Sequence, residues 1–259
     1  MLNKYKFLFL LSVVFFGVLI STVHSQTDPK ITRRLVMQDE VFPYKAMEYE
    51  TAQKALNEFF KKYKFNISFS CFQTDDFTYQ YVFPFGPYND VDVFFKMFNE
   101  KIAASDKKEY DRLYAAFAGT INANNSIVIE LKDSYKPKNP YLKPGEAGFI
   151  HWDYFELLPG KEPEALELLK EYKKMNEKFE IPVANNQWSV SFGDHSSTVI
   201  FSTLAKDDVD YYTHNKEAEE KYMNDPDFMG FYMKFLSYVR SFKHFNGKPR
   251  LDLSYSAAE

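Results

Sequence analysis

Residues 207–220, "DDVDYYTHNKEAEE", have a faint twin in residues 89–101, "NDVDVFFKMFNEK". Asp90-Val91-Asp92 and Asp208-Val209-Asp210 lie 118 residues apart, close to half of the 259-residue chain. Each segment opens with acidic residues, which suit a helix N-terminus, and the first continues with Val91, Phe94, Phe98 and Ile102 at helical spacing. Finding one helix start twice, half a chain apart, predicts an internal duplication.

The element order around each copy agrees. In the second half "GFIHWDYFELL" reads as a strand and "PEALELLKEYKKMNEKF", opened by Pro163, as a helix with Leu166, Leu169, Tyr172 and Met175 or Asn176 in register. The strands "NQWSVSF" and "STVIFSTL" follow, joined by the polar turn "GDHS". Asp207 or Asp208 then caps a helix to about Tyr222. Asp225 and Pro226 open a last helix, with Phe228, Phe231, Phe235, Val239 and Phe242 on one face and an end near Gly247, and "RLDLSY" follows as the final strand. In the first half "RRLVMQDEVF", "YETAQKALNEFFKKY", "FNISFSCF", "FTYQYVFPF", helices from Asp90 and from about Asp106, and "SIVIEL" repeat the order.

Each half is thus expected to be a ferredoxin-like module, an α+β unit with a four-stranded antiparallel sheet and helices on one face. The modules span 31–135 and 146–256, and the proline-rich 136–145 links them. The bare faces of the two sheets are expected to face each other as an intrachain pseudo-dimeric α/β barrel. Alternation sets Trp188, Val190 and Phe192 against Gln187, Ser189 and Ser191, which predicts a partly polar space between the sheets.

Ahead of the modules, Lys4 and Lys6 precede an uncharged run from Phe7 to Val23, and Val23-His24-Ser25 suits cleavage before Gln26. Residues 1–25 therefore read as an export signal, giving a secreted or periplasmic protein, with a retained N-terminal anchor as the alternative. The net charge is −4, and −6 without the two signal lysines, with no Lys/Arg-rich block; neither nucleic acid nor an anionic membrane is an expected partner. Cys71, the single cysteine, can form no intrachain disulfide and reads as a buried strand residue, so the 27 Phe and 19 Tyr must supply the stability.

Few residues offer chemistry. His151 shares a strand face with Asp153, and if that face lines the inter-sheet space the pair can orient a ligand or pass a proton; a histidine satisfied by its neighbours is the plainer reading. His214 is either a site residue or a solvated helix histidine. His195 in a hairpin turn and His244 near a helix end need no role, and Arg250 and Asp252, on the polar side of the final strand, either hold a carboxylate-bearing ligand or pair with each other. No zinc, serine-elbow or phosphate-loop motif is present.

The element order over residues 31–256, with "PGKEPEALELLKEY" after a first strand and "AKDDVDYYTH" at a helix start, resembles the dimeric α/β-barrel superfamily. The resemblance is to its antibiotic-biosynthesis-monooxygenase-like branch, with two modules fused in one chain. It implies a cofactor-independent oxygenase acting on a small aromatic molecule, with His151, Asp153 or His214 handling protons. Haem-degrading relatives carry a tryptophan near the end of the third strand, where this chain has Thr203 and Leu204, so neither haem nor another cofactor is expected. In the first half Lys96 stands at the place of His214. Both tryptophans and every histidine after the signal are in the second half, so any pocket is expected there. Trp152, Trp188, Ser189, Ser191, Arg250 and Asp252 are its candidate lining. The reading from residues alone favours a non-catalytic small-molecule-binding or scaffold module, monomeric or weakly oligomeric, over the oxygenase.

Overall fold

The computed structural model describes residues 31–257 apart from Pro144 and His195, so the export signal and the hairpin histidine lie outside the described residues. From Thr32 onward the chain is one compact unit. The first half contains β1 (Arg33–Val41), α1 (Ala46–Lys62), β2 (Ser70–Thr74), β3 (Thr78–Phe85), α2 (Asn89–Ala103), α3 (Lys107–Ala115) and β4 (Ile121–Tyr135). The second contains β5 (Phe149–Leu157), α4 (Glu162–Lys178), β6 (Asn185–Gly193), β7 (Thr198–Ala205), α5 (Asp208–Met223), α6 (Pro226–Leu236) and β8 (Val239–Pro249).

The twin segments are α2 and α5. Asp207 caps α5 by accepting from Asp210 N at 2.8 Å, whereas α2 has no side-chain cap. In both, an aspartate reaches back four residues to a backbone amide, Asp90 to Gly86 and Asp210 to Lys206. Asp225 caps α6 as its sequence predicts, with Pro226 at the first helical position.

Each half forms an antiparallel sheet in the order β4-β1-β3-β2 or β8-β5-β7-β6, and the two join edge to edge at both sides into a closed eight-stranded barrel. One seam pairs β2 with β8, from Phe72↔Pro249 to Thr74↔Gly247. The other pairs β4 with β6, from Ile127↔Gly193 to Tyr135↔Asn185. Closure leaves no strand edge open.

At the first seam Gly247 permits close approach, since a Cβ there would lie 2.5 Å from Gln73 O and 2.9 Å from Trp152 Cζ3. The barrel interior is an apolar cluster to which every strand contributes: Val36, Phe72, Val82, Ile127, Ile150 with Trp152, Val190, Ile200 and Phe245. A second core lies between the first sheet and its helices, around Tyr49, Phe59, Phe60 and Tyr79. The corresponding layer of the second half holds Leu157, Ala165, Leu169, Val199 and Phe235.

Two expectations are corrected. The helix opened by Asp225 ends at Leu236, and Val239–Pro249 is the last strand. The apolar spacing from Phe228 to Phe242 runs through the Ser237–Tyr238 turn by coincidence, while β8 alternates, with Phe245 inward and Phe242, His244 and Asn246 on the other face. "RLDLSY" is a turn in which Leu253 and Tyr255 are buried and Tyr255 bridges Phe69.

The inter-sheet space is lined mainly by apolar side chains, with polar groups among them where Tyr154 meets Gln38 and Gln80 and Trp188 meets Ser202, but the polar row expected from β6 lies elsewhere. Trp188 and Val190 point into it, and Gln187 and Ser189 lie under the helices. An eight-stranded barrel is just wide enough to be filled by side chains. Cys71 is the buried strand residue its sequence predicts, and burial pushes its thiol up to about 12.

Candidate functional site

Because apolar residues take the barrel interior, His151 and Asp153 fall on the opposite face of β5, beneath α5. His151 is held at both ring nitrogens. Nδ1 lies 2.7 Å from Asn246 Oδ1 on β8, and Nε2 lies 3.0 Å from Asp153 Oδ1. Asn246 Nδ2 in turn donates to Tyr212 Oη at 3.0 Å, and the Tyr211 ring stacks on the imidazole with centroids 4.5 Å apart. With an acceptor at each nitrogen, the doubly protonated ring is the form that uses both contacts. Burial alone lowers the His151 pKa, but the Asp153 hydrogen bond and charge and the Asn246 contact outweigh it, and the pKa is raised.

The stability effect has a definite sign. Since the folded pKa lies above the unfolded one, protonation of His151 contributes in full below about pH 6.5 and is lost as pH rises through the folded value. Asp153→Asn should lower the His151 pKa, read by NMR titration of its ring protons. It should also cost more thermal stability below about pH 6 than above about pH 8. An unmoved titration would show that Asp153 does not hold the ring charge.

Asp153 lines a cavity of about 80 Å³ between the second sheet and α4 and α5. His214 of α5 lines it as well. The orientation of β5 thus brings Asp153 of the strand and His214 of the helix to one cavity. His214 Nδ1 lies 3.2 Å from Glu217 Oε2 and Nε2 3.6 Å from Asp210 Oδ1, and the ring packs 4.2 Å from that of Tyr141. Tyr141 belongs to the linker, donates to Leu204 O at 3.3 Å and closes one wall of the cavity.

The rest of the lining comes from residues that sequence reasoning passed over. Tyr172 and Asn176 project from α4, Asn185 from β6, and Tyr211 and Tyr222 from α5. Burial holds the Tyr211 and Tyr222 phenols well above their usual range, so both stay protonated. Tyr222 donates to Asn176 Oδ1. The buried Asn176 Nδ2 and Asn185 Oδ1 have no hydrogen-bond partner among the described residues, which is a costly state for buried polar atoms. Asn176 had a visible signal, since it follows Ala165, Leu169 and Tyr172 on the buried stripe of α4, where an apolar residue is the norm.

The other candidates are placed elsewhere. Trp152 and Trp188 face the barrel interior, where Trp188 Nε1 donates to Ser202 Oγ at 3.1 Å. Ser189 is buried beneath the helices, and Ser191 donates to Val128 O at 3.1 Å. Arg250 and Asp252 follow the last strand instead of lying on it. They pair with each other, Nε to Oδ1 at 2.9 Å, and Arg250 Nη2 reaches Glu50 of α1 at 2.7 Å. His244 is not near a helix end but on β8, opposite Asp153.

A larger groove of about 480 Å³ at the β2–β8 seam is lined by Asp75, Tyr212, Asn246 and Lys248, but it has no buried polar atom lacking a partner. Among the described residues no group of three His, Cys, Asp or Glu side chains is placed to hold a metal ion.

The paired edges, β2 with β8 and β4 with β6, decide the architecture. The fold is that of the dimeric α/β barrels. Both modules lie in one chain. No family profile matches the chain, and no curated protein matches its sequence.

Among solved structures, an anthrone oxidase-like protein superposes with a TM-score of 0.60 at 13% identity, over 90% of this chain and 95% of that one. A Fusobacterium nucleatum protein named as a candidate monooxygenase gives 0.52 at 13% identity, over 85% of this chain and 93% of that one. Another so named, from Lactobacillus acidophilus, gives 0.52 at 9% identity, over 88% and 98%. At these identities the likeness is one of fold. In this dimeric α/β barrel the halves have diverged: the third and fifth positions of β5 are His151 and Asp153, and those of β1 are Leu35 and Met37.

Proposed function

We propose that the protein binds a small molecule in the cavity between the second sheet and α4 and α5. The observation that carries this reading is the pair of buried, unpartnered atoms, Asn176 Nδ2 and Asn185 Oδ1, in a cavity that also presents Asp153 and His214. Protein interiors pair their polar groups, and groups left unpaired at a concave site serve a ligand. In the first half the equivalent layer is an aromatic core, with Tyr49 and Tyr79 ring centroids 4.7 Å apart, so one module supports and the other binds.

A second reading, proton-transferring oxygenation without a cofactor, is favoured by one observation: Asp153 both lines the cavity and holds His151. Two facts weigh against it. A ring with both nitrogens engaged, by Asn246 and by Asp153, has no free lone pair to present to a substrate as a general base. A cavity of about 80 Å³ is about half of the ~150 Å³ that encloses benzene, so a tricyclic substrate such as an anthrone fits only if the Tyr141 segment moves.

The test is native mass spectrometry of protein purified from its own source, looking for a retained molecule, followed by affinity measurement. Asp153→Asn and His214→Ala should each weaken binding ten-fold or more, the equivalent of a charge-assisted hydrogen bond of about 1.5–3 kcal/mol. Lys96→Ala should leave it unchanged. Binding that survives both second-half substitutions and falls with first-half ones would overturn the assignment.

A further inference from the structure

Strand β6 carries Asn185, Gln187 and Ser189 at alternate positions, all on the face beneath the helices. They are 7%, 1% and 1% exposed, and each has an atom without a hydrogen-bond partner among the described residues: Asn185 Oδ1, Gln187 Nε2 and Ser189 Oγ. Asn176 Nδ2 of α4, fully buried, is in the same state. Asn176 and Asn185 lie at the cavity. Successive members of the β6 row stand about 6.6–6.8 Å apart, so Gln187 and Ser189 extend the row of buried polar groups from the cavity wall into the protein. The strand partners confirm the direction: Gln187 is opposite Phe201, which packs against Tyr172, and Ser189 is opposite Val199 of the core beneath α4.

Charge is absent from this row. Asp133, opposite Gln187 on β4, is paired with Lys173 at 2.8 Å. Glu130, opposite Ser189, is bound by Arg33 at 2.7 Å and Lys132 at 2.8 Å. What remains is two amide donors, one amide acceptor and one hydroxyl able to act as either.

We infer that this row is the specificity-determining end of the site and receives the neutral, amide- or hydroxyl-bearing part of the ligand. A carboxylate or ammonium group buried there would find no counter-charge and is excluded by its desolvation cost. The inference rests on the cavity being the ligand site, and its test separates the two.

The full chain, 15N-labelled, is titrated by NMR with acetamide, acetate and methylammonium, and thermal unfolding is measured for Ser189→Ala and Gln187→Met. Acetamide should shift the side-chain amides of Asn176, Asn185 and Gln187, with at least five-fold smaller shifts from the two ions. Each substitution should raise the melting temperature by about 2–4 °C, because it removes a polar group that the unliganded protein leaves unpaired. Ser189→Ala should also abolish the acetamide response at Gln187, and Gln187→Met that at Asn185. A fall in melting temperature, or equal responses to the charged probes, overturns the inference. Shifts at His214 and Asp153 without any at Gln187 overturn it while leaving the cavity as the site. No response at any of these residues overturns both.

Discussion

Trp152→Ala should cost the protein about 3–5 kcal/mol, the usual range for emptying a buried aromatic site. The indole is 6% exposed in the barrel interior, its ring meets Phe72 of the other half edge-on at 5.8 Å, and Gly247 packs against its rim. Denaturant titration followed by far-UV circular dichroism measures the loss. Because every strand contributes to that interior, both halves should still unfold in a single transition. A loss under about 1 kcal/mol, or two separated transitions, would show that the halves are stable without a common core.

Arg250→Met should be the next most damaging change, at about 2–4 kcal/mol, somewhat below the cost of breaking a fully buried ion pair because Glu50 and Asp252 retain some solvent. Arg250 ties the C-terminal turn to α1 through Glu50 and to β2 through Gln73 Oε1 at 2.6 Å. Without it Glu50 keeps the Tyr79 hydroxyl, at 2.7 Å, but no cation.

The pH signature runs opposite to that of His151. The Arg250 hydrogen bond, helped by that of Tyr79, holds the Glu50 pKa below its usual value against the effect of burial. Its contribution is therefore present above about pH 4.3 and lost as pH falls through the folded value. Acid unfolding of the Arg250→Met protein should show a shallower pH dependence than that of the parent. An unchanged acid limb would mean that other carboxylates control it.

The duplication was legible because it is written in local signals. Acidic helix starts at Asp90 and Asp208 mark the same element in both halves, and Pro163 and Pro226 mark two further helix starts in the second. The last strand was not, since Phe235, Val239 and Phe242 keep helical spacing across a turn that only their alternation with His244 and Asn246 betrays.

The site was half legible for a deeper reason. In a sheet covered on both sides, alternation sorts residues into two faces but does not say which face meets the helices. His151 and Asp153 were correctly put on one face, but the condition that this face lines the space between the sheets is not met, and His151 is satisfied by its neighbours. The choice depends on what each cover can offer. Helices α4 and α5 bring Asn176, Tyr211 and Tyr222 to polar partners, whereas the opposing sheet brings Val36, Val82 and Ile129.

Fusing the two modules through residues 136–145 changes what dilution and evolution can do. A barrel assembled from two separate chains falls apart as concentration drops, and each mutation in its gene appears twice in the product. Here both seams are intramolecular, so closure is independent of protein concentration. A substitution such as Lys96 for histidine alters one side alone. Under the proposed binding function, one side of the ring is free to hold the ligand while the other serves closure alone.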